Sequence, residues 1–314
     1  MNIKIIEPIG QSETAIRFRL EDRLKEGNHR LNFCDTRGLA DAELIPEIND
    51  ADVLLISNRP LSATVIEACP SLKLICIAFT GVDHVDQNAC KARGIVVHNA
   101  AGYAVHAVSE LAIGLTIALL RRIVSADAAV RSGGSNQHLV GSELFGKTLG
   151  ILGCGHIGLQ VARLGDAFGC RVLGFDPHPL PEVDVKIEQV ALNELLRRSD
   201  IISLHLPLTD QTRGFIGREE LAKMKKSAIL INTARGPVVD QAALVEALEQ
   251  NRLAGAGLDV FDVEPPLPSG HPILKAPNTV LAPHIGFDTV EAVRAKADIA
   301  LRHLEEFLDE NRAK

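Results

Sequence analysis

The sequence predicts an α/β fold of two doubly wound domains with parallel sheets, the first of them discontinuous. Three observations predict it. Short runs of Val, Ile and Leu alternate with helical patterns along the whole chain. A glycine-rich turn separates one such run from a helix near the middle. The last segment is a single amphipathic helix with no partner nearby in sequence.

In the first third, residues 3–7, 52–57, 72–78 and 95–98 are apolar without alternation, as strands covered on both faces should be. One long helix is predicted over 104–131, because Val108, Leu111, Ala112, Leu115, Leu119 and Ile123 recur at helical spacing. Gly133-Gly134 stops it, and its length suits a spine between domains or part of a dimer face. A second series of strands follows at 148–152, 171–175, 201–205, 228–232, 255–259 and 279–282, with helices between most of them, at 157–168 and 241–250 for example. The terminal helix spans 289–311, with Asp288 and Glu291 spaced as a capping box. Alone it cannot bury its apolar stripe, so it is expected to return to the first domain.

Composition narrows the function. A chain of 314 residues suits two domains, and 46 % hydrophobic residues supply their cores. With ten Phe, one Tyr, no Trp and a net charge of −7, neither base stacking nor a polyanion partner is expected. None of the six cysteines forms a C-x-x-C pair, so zinc or a redox dithiol is not expected, and free thiols point to a reducing compartment. The first residues carry charge too soon for a signal peptide, and the longest apolar stretch is about half a membrane span. A cytoplasmic protein without nucleic-acid or membrane partners, and without a metal, is expected.

Gly153-Cys154-Gly155-His156-Ile157-Gly158 follows a strand and opens a helix, and Asp176 stands 18 residues beyond Gly158 at the end of the next strand. In a Rossmann-like domain the first glycine permits a tight turn, the second lets backbone approach a pyrophosphate, and the third lets helix and strand pack closely. The helix N-terminus offers free N–H groups to phosphate. Asp176 can accept the adenosine ribose hydroxyls and would repel a 2′-phosphate, which favours NAD over NADP.

Three further patches sit at strand ends: Ile231-Asn232-Thr233-Ala234-Arg235-Gly236, the run from Leu258 to Pro266, and Ala282-Pro283-His284-Ile285-Gly286. Function in open α/β sheets gathers at such ends. The guanidinium fork of Arg235 suits a carboxylate or keto oxygen. His284 can exchange the hydroxyl proton, and Glu264 can hold its imidazole and favour the charged form. Asp259 can bind the nicotinamide amide.

With these residues the chain resembles the D-isomer-specific 2-hydroxyacid dehydrogenases, which include glycerate, phosphoglycerate, hydroxypyruvate and D-lactate enzymes. The resemblance rests on the glycine fingerprint with Asp176, on His205-Leu206-Pro207-Leu208-Thr209, and on the Arg235, Glu264 and Pro283-His284-Ile285-Gly286 patches. It implies a catalytic set of Arg235, Glu264 and His284. It implies cofactor contacts from Thr80, Gly153, Gly155, His156, Ile157, Gly158, Asp176, His205, Pro207, Thr212, Thr233, Ala234, Arg235, Asp259, His284 and Gly286. It implies substrate contacts from Asn58, Phe79, Thr80, Gly81, Arg235 and His284, the acid's carboxylate resting on backbone amides of the turn Ala78-Phe79-Thr80-Gly81-Val82-Asp83. It also implies a homodimer formed through the nucleotide domain. Residues 1–99 plus 287–314 would form the substrate-binding domain and 100–286 the NAD-binding domain.

Several residues depart from the family pattern. Phe79 stands where relatives often have a small residue. Arg59, in Asn58-Arg59-Pro60, suits either a substrate phosphate or solvent. Ala100-Gly102-Tyr103 replaces a proline-containing hinge, Glu264 is unlike the Gln of formate-oxidising relatives, and no regulatory domain follows the last helix. The expected activity is hydride transfer between NAD and a small D-2-hydroxy or 2-keto acid such as glyoxylate or hydroxypyruvate. The alternatives are a non-enzymatic, NAD-binding corepressor-like module and oxidation of an inorganic acid such as phosphite.

Overall fold

The computed structural model describes residues 1–179 and 183–312. The chain divides into two compact units, Met1–Ala104 with Asp288–Lys314, and Val105–Phe287. The changeovers lie at 104/105 and 287/288, where the sequence placed them at 99/100 and 286/287. Residues 100–103 stay with the first unit because the Ala100 N–H donates to the Phe79 carbonyl at 2.9 Å and Tyr103 packs on the Phe79 ring.

The first unit is built on five parallel strands: β1 (Asn2–Ile5), β2 (Arg30–Phe33), β3 (Val53–Ile56), β4 (Leu74–Ile77) and β5 (Val96–Asn99), in the order β2-β1-β3-β4-β5. Successive side chains go to opposite faces. Ile3, Ile5, Val53, Leu55 and Leu74 therefore join α1 (Glu13–Glu26) and α11 (Val290–Arg312) in one core. Leu54, Ile56, Ile75 and Ile77 join α2 (Asp41–Ile48), α3 (Ala63–Glu67) and α4 (Gln87–Ala92) in the other. This double coverage is why β3 and β4 read as unbroken apolar runs. β2 escaped the sequence reading because only Leu31 of its four residues is buried.

The terminal helix α11 packs within this unit, as its apolar stripe requires: Ala297, Ala300, Leu301, Leu304 and Leu308 are fully buried. On its flank the Arg19 guanidinium forks onto Glu305 at 3.0 and 2.8 Å. The expected capping box is not formed. Thr289 caps instead, its Oγ1 accepting the Ala292 N–H at 3.1 Å, because the helix starts one residue later than the box requires.

The second unit has seven parallel strands: β6 (Thr148–Leu152), β7 (Arg171–Phe175), β8 (Ile187–Gln189), β9 (Ile201–Leu204), β10 (Ile229–Asn232), β11 (Gly255–Leu258) and β12 (Thr279–Leu281). Their order is β12-β11-β10-β9-β6-β7-β8. The chain runs outward in both directions from β6, which creates a crevice site beside its carboxyl end. β8, three largely exposed residues, was not foreseen.

The single long helix expected over 104–131 is two, α5 (Val105–Leu120) and α6 (Ile123–Arg131). Arg122 adopts a left-handed φ of 51° between them. The returning chain forces the break: the Ser142 N–H donates to the Leu120 carbonyl at 2.8 Å, and a Cβ on Gly141 would lie 2.4 Å from that oxygen. Gly133 (φ 77°) ends α6 as the sequence suggested. Among the described residues, no helix is long and apolar enough to cross a membrane.

Leu304→Ala should leave a cavity beneath α11 and lower stability by about 2–5 kcal/mol. Denaturant unfolding followed by circular dichroism measures this, and a loss below about 1 kcal/mol would mean that α11 is not part of this core.

Candidate active site

The motifs of the second unit line one edge of its sheet, at the carboxyl ends of β7, β6, β9, β10, β11 and β12. The glycine turn follows β6. Gly153 has a φ of 92°, and its N–H donates to the Phe175 carbonyl at 2.9 Å. A Cβ there would meet the His205 carbonyl oxygen at 2.6 Å, and one on Gly158 would meet the Gly153 carbonyl oxygen at 2.0 Å. These two glycines are demanded by the protein's own packing. Around Gly155 nothing lies within 4 Å of an added Cβ, so the open side of the turn has room for a ligand's phosphates at the start of α7 (His156–Ala167). Within that helix His156 is exposed, Ile157 half-buried and Gly158 buried.

Asp176 leans toward this turn. Its Oδ2 accepts the Cys154 N–H at 2.9 Å and its Oδ1 the His178 N–H at 3.0 Å. Each oxygen keeps acceptor capacity for a ribose hydroxyl. Beyond β9, Thr212 Oγ1 donates to the Pro207 carbonyl at 2.5 Å and accepts the Thr209 N–H at 2.8 Å, which pins the Pro207 loop. His205 Nε2 pairs with Ser203 Oγ at 2.8 Å, and burial pushes its pKa down to about 3. His205 Nδ1 and Thr233 Oγ1 are buried polar atoms without a protein partner. Buried polar atoms at a binding edge are ordinarily satisfied by a ligand or water. The glycine cradle, the α7 N-terminus, Asp176 and these two atoms fit a dinucleotide.

The Arg235 turn is shaped by Asn232, which is fully buried. Its Oδ1 accepts the Ala234 N–H and its Nδ2 donates to the Arg235 carbonyl, both at 3.0 Å. A Cβ on Gly236 would lie 1.6 Å from the Phe261 carbonyl oxygen, so this turn presses on the segment leading to Glu264. Arg235 is half-buried, and its Nη1 donates to the Ala234 carbonyl at 2.8 Å. His284 Nδ1 and Glu264 Oε2 are 2.7 Å apart, in direct contact, while Arg235 reaches the same edge from the neighbouring strand β10.

His284 sits at φ 57°, a conformation that costs a non-glycine residue about 1–3 kcal/mol. Asp259 sustains it. Its carbonyl accepts the His284 N–H, and its Oδ1 and Oδ2 accept the N–H groups of Ile285 and Gly286, all at 2.8 Å. Burial pushes the Asp259 pKa up, opposed by those two donors and by His284. The carboxylate expected to orient the nicotinamide amide is thus engaged with the loop behind it. A Cβ on Gly286 would come within 2.9 Å of Asp259 Oδ2, which explains that glycine.

The remaining predicted residues belong to the first unit, at the carboxyl ends of β3 and β4. Glu7, which the sequence reading did not single out, organises them: its Oε2 accepts the N–H groups of Ser57, Asn58 and Arg59 at 2.8, 2.9 and 2.8 Å. A carboxyl residue followed by Pro8 at a strand end was the only available signal. Arg59 is half-buried rather than turned out to solvent. Its guanidinium donates to the carbonyls of Thr36 and Leu39 at 3.1 and 2.6 Å and ties two loops together. The Thr80 carbonyl accepts Asn99 Nδ2 at 2.6 Å, Gly81 is half-buried, and Phe79 stacks edge-on against Tyr103 at 5.9 Å.

Fold and edge together define a dinucleotide-binding oxidoreductase class. Residues 113–286 match the family model described as D-isomer specific 2-hydroxyacid dehydrogenase, NAD binding domain. The chain is 44 % identical to a glyoxylate reductase of Thermofilum pendens over 83 % of its own length and 80 % of that protein's. It is 44 % identical to a hydroxypyruvate reductase of Thermotoga maritima, covering 80 % of this chain and 83 % of the relative. A crystal structure of D-lactate dehydrogenase from Aquifex aeolicus, complexed with NAD and lactic acid, superposes with a TM-score of 0.84 at 27 % identity, covering 100 % of this chain and 97 % of that one. The chain belongs to the D-isomer specific 2-hydroxyacid dehydrogenase family, binds NAD and is an NAD-dependent oxidoreductase. A corepressor-like module is not favoured.

His205 supplies a pH prediction. Its folded pKa of about 3 lies below the ordinary 6.5, so as pH falls the unfolded chain takes up a proton first. The stability tied to neutral His205 is complete above about pH 6.5 and is lost progressively toward pH 3. His205→Gln should move the acid-unfolding midpoint to lower pH by circular dichroism; an unmoved midpoint would contradict the buried neutral ring.

Proposed function

We propose that the chain reduces a small 2-keto acid such as glyoxylate or hydroxypyruvate to the D-2-hydroxy acid with NADH, and runs the reverse oxidation with NAD. The observation that carries this reading is the 2.7 Å contact between His284 and Glu264 on the edge that also holds the glycine turn. In this reading the first unit is the substrate domain and the second the NAD domain, with the changeovers at 104/105 and 287/288 rather than at 99/100 and 286/287.

Bound NADH supplies the hydride that enters the keto carbon. The protein does the rest. Backbone amides of the turn from Ala78 to Asp83 take the acid's carboxylate, with Asn58, Phe79, Thr80 and Gly81 around it. Arg235 steadies the keto oxygen as charge develops on it. His284 donates a proton from Nε2 to that oxygen and recovers it in the reverse direction. Glu264 accepts at Nδ1, which fixes the tautomer and stabilises the charged ring. Asp259 keeps the histidine loop in place. Gly153, Gly155, His156, Ile157 and Gly158 would hold the pyrophosphate and Asp176 the ribose, with further contacts from Thr80, His205, Pro207, Thr212, Thr233, Ala234 and Gly286.

The working form is a homodimer through the second unit. Ile123, Val124, Val130, Val140 and Phe145 are exposed apolar side chains on α6 and the loop after it, a concentration that suits an interface. The protein works in the cytoplasm, where its six cysteines remain free thiols.

A panel of 2-keto acids assayed with NADH and NADPH in parallel tests the reading. Turnover of glyoxylate or hydroxypyruvate with NADH preferred is expected, and no turnover of any 2-keto acid would refute it. His284→Ala should lower kcat by about 10²–10⁴ while NADH still binds, as fluorescence titration of the nicotinamide would report.

A further inference from the structure

The buried face of α11 contains one charge. Lys296 is 6 % exposed and lies among Ala292, Ala297 and Ala300. Burying an ammonium is costly, and an apolar side chain of similar length is often tolerated as well or better at such a position. Folding alone therefore gives little reason for a lysine. Its Nζ lies 4.5 Å from the centre of the Phe79 ring, a cation–π distance. Burial pushes its pKa down, while the charges of Asp288 and Glu7 act in the opposite direction.

A second contact reaches the Phe79 ring: Tyr103 meets it edge-on, with centroids 5.9 Å apart and planes at 66°, while the Phe79 main-chain carbonyl accepts the Ala100 N–H. The half-buried ring directly precedes Thr80 in the turn assigned to the substrate carboxylate.

We propose that Phe79 is a specificity-determining residue that limits the acid's side group to hydrogen or a short polar chain, and that Lys296 is the positioning residue that keeps the ring in place. This rests on the 2-keto acid reading above. Removing the ring opens space for a branched aliphatic group, and removing the ammonium frees the ring to move without removing it.

The test is the ratio of kcat/KM for glyoxylate to that for 4-methyl-2-oxopentanoate, measured with NADH. The wild type should favour glyoxylate. Phe79→Ala should lower the ratio by at least about tenfold, the scale of discrimination that a few methylene groups give a pocket. K296M and K296Q should each lower it about three- to tenfold, through a smaller KM for the branched acid, and K296R should restore it to within about twofold. A ratio unchanged within twofold in Phe79→Ala overturns the specificity role. An unchanged ratio in both neutral Lys296 variants, or their common failure to fold, overturns the positioning role. A wild type that binds NADH but reduces neither these nor other 2-keto acids overturns the parent reading, and this one with it.

Discussion

The buried carboxylate of Asp259 is the constraint on which the His284–Glu264 contact depends. Three hydrogen bonds run from residues 284–286 back to this one residue, two to its side chain and one to its carbonyl. They hold His284 in a left-handed conformation that an isolated chain would leave, with its Nδ1 against Glu264. A carboxylate is suited to the task because charged acceptors make the stronger hydrogen bonds, and two convergent N–H groups offset part of its desolvation. The placement of the imidazole thus depends on an acid that grips its loop from behind.

Close backbone approach is the second theme. Gly158 lets α7 lie on the strand turn, Gly236 lets the Arg235 turn meet the carbonyl of Phe261, and Gly286 lets its loop close on Asp259. At each position a single methyl group would collide with a polar atom. Such glycines set the spacing between functional segments that are far apart in sequence.

Much of this was legible beforehand. The inner strands of both sheets announced themselves as unbroken apolar runs because they are covered on two faces, and the glycine turn stood out between a strand and a helix, where the structure has it. What escaped has physical reasons. β2 and β8 lie at the edges of their sheets and bury too little to leave a pattern. The break after Leu120 is imposed by Gly141 and Ser142, some twenty residues away, so no local window records it. Asp259 and Arg59 were visible as polar residues at strand ends, but their partners are backbone groups, which a sequence does not display. Glu7 was hidden for the same reason.

That break also bears on how this part of the chain tolerates change. The Leu120 carbonyl and the Ser142 amide join where the excursion carrying α6 leaves and returns, so the excursion is closed at its own neck. Residues can be added or lost beyond the neck without shifting the register of α5 or β6. The apolar side chains it displays can accordingly be exchanged one by one without disturbing the sheet edge that carries the glycine turn.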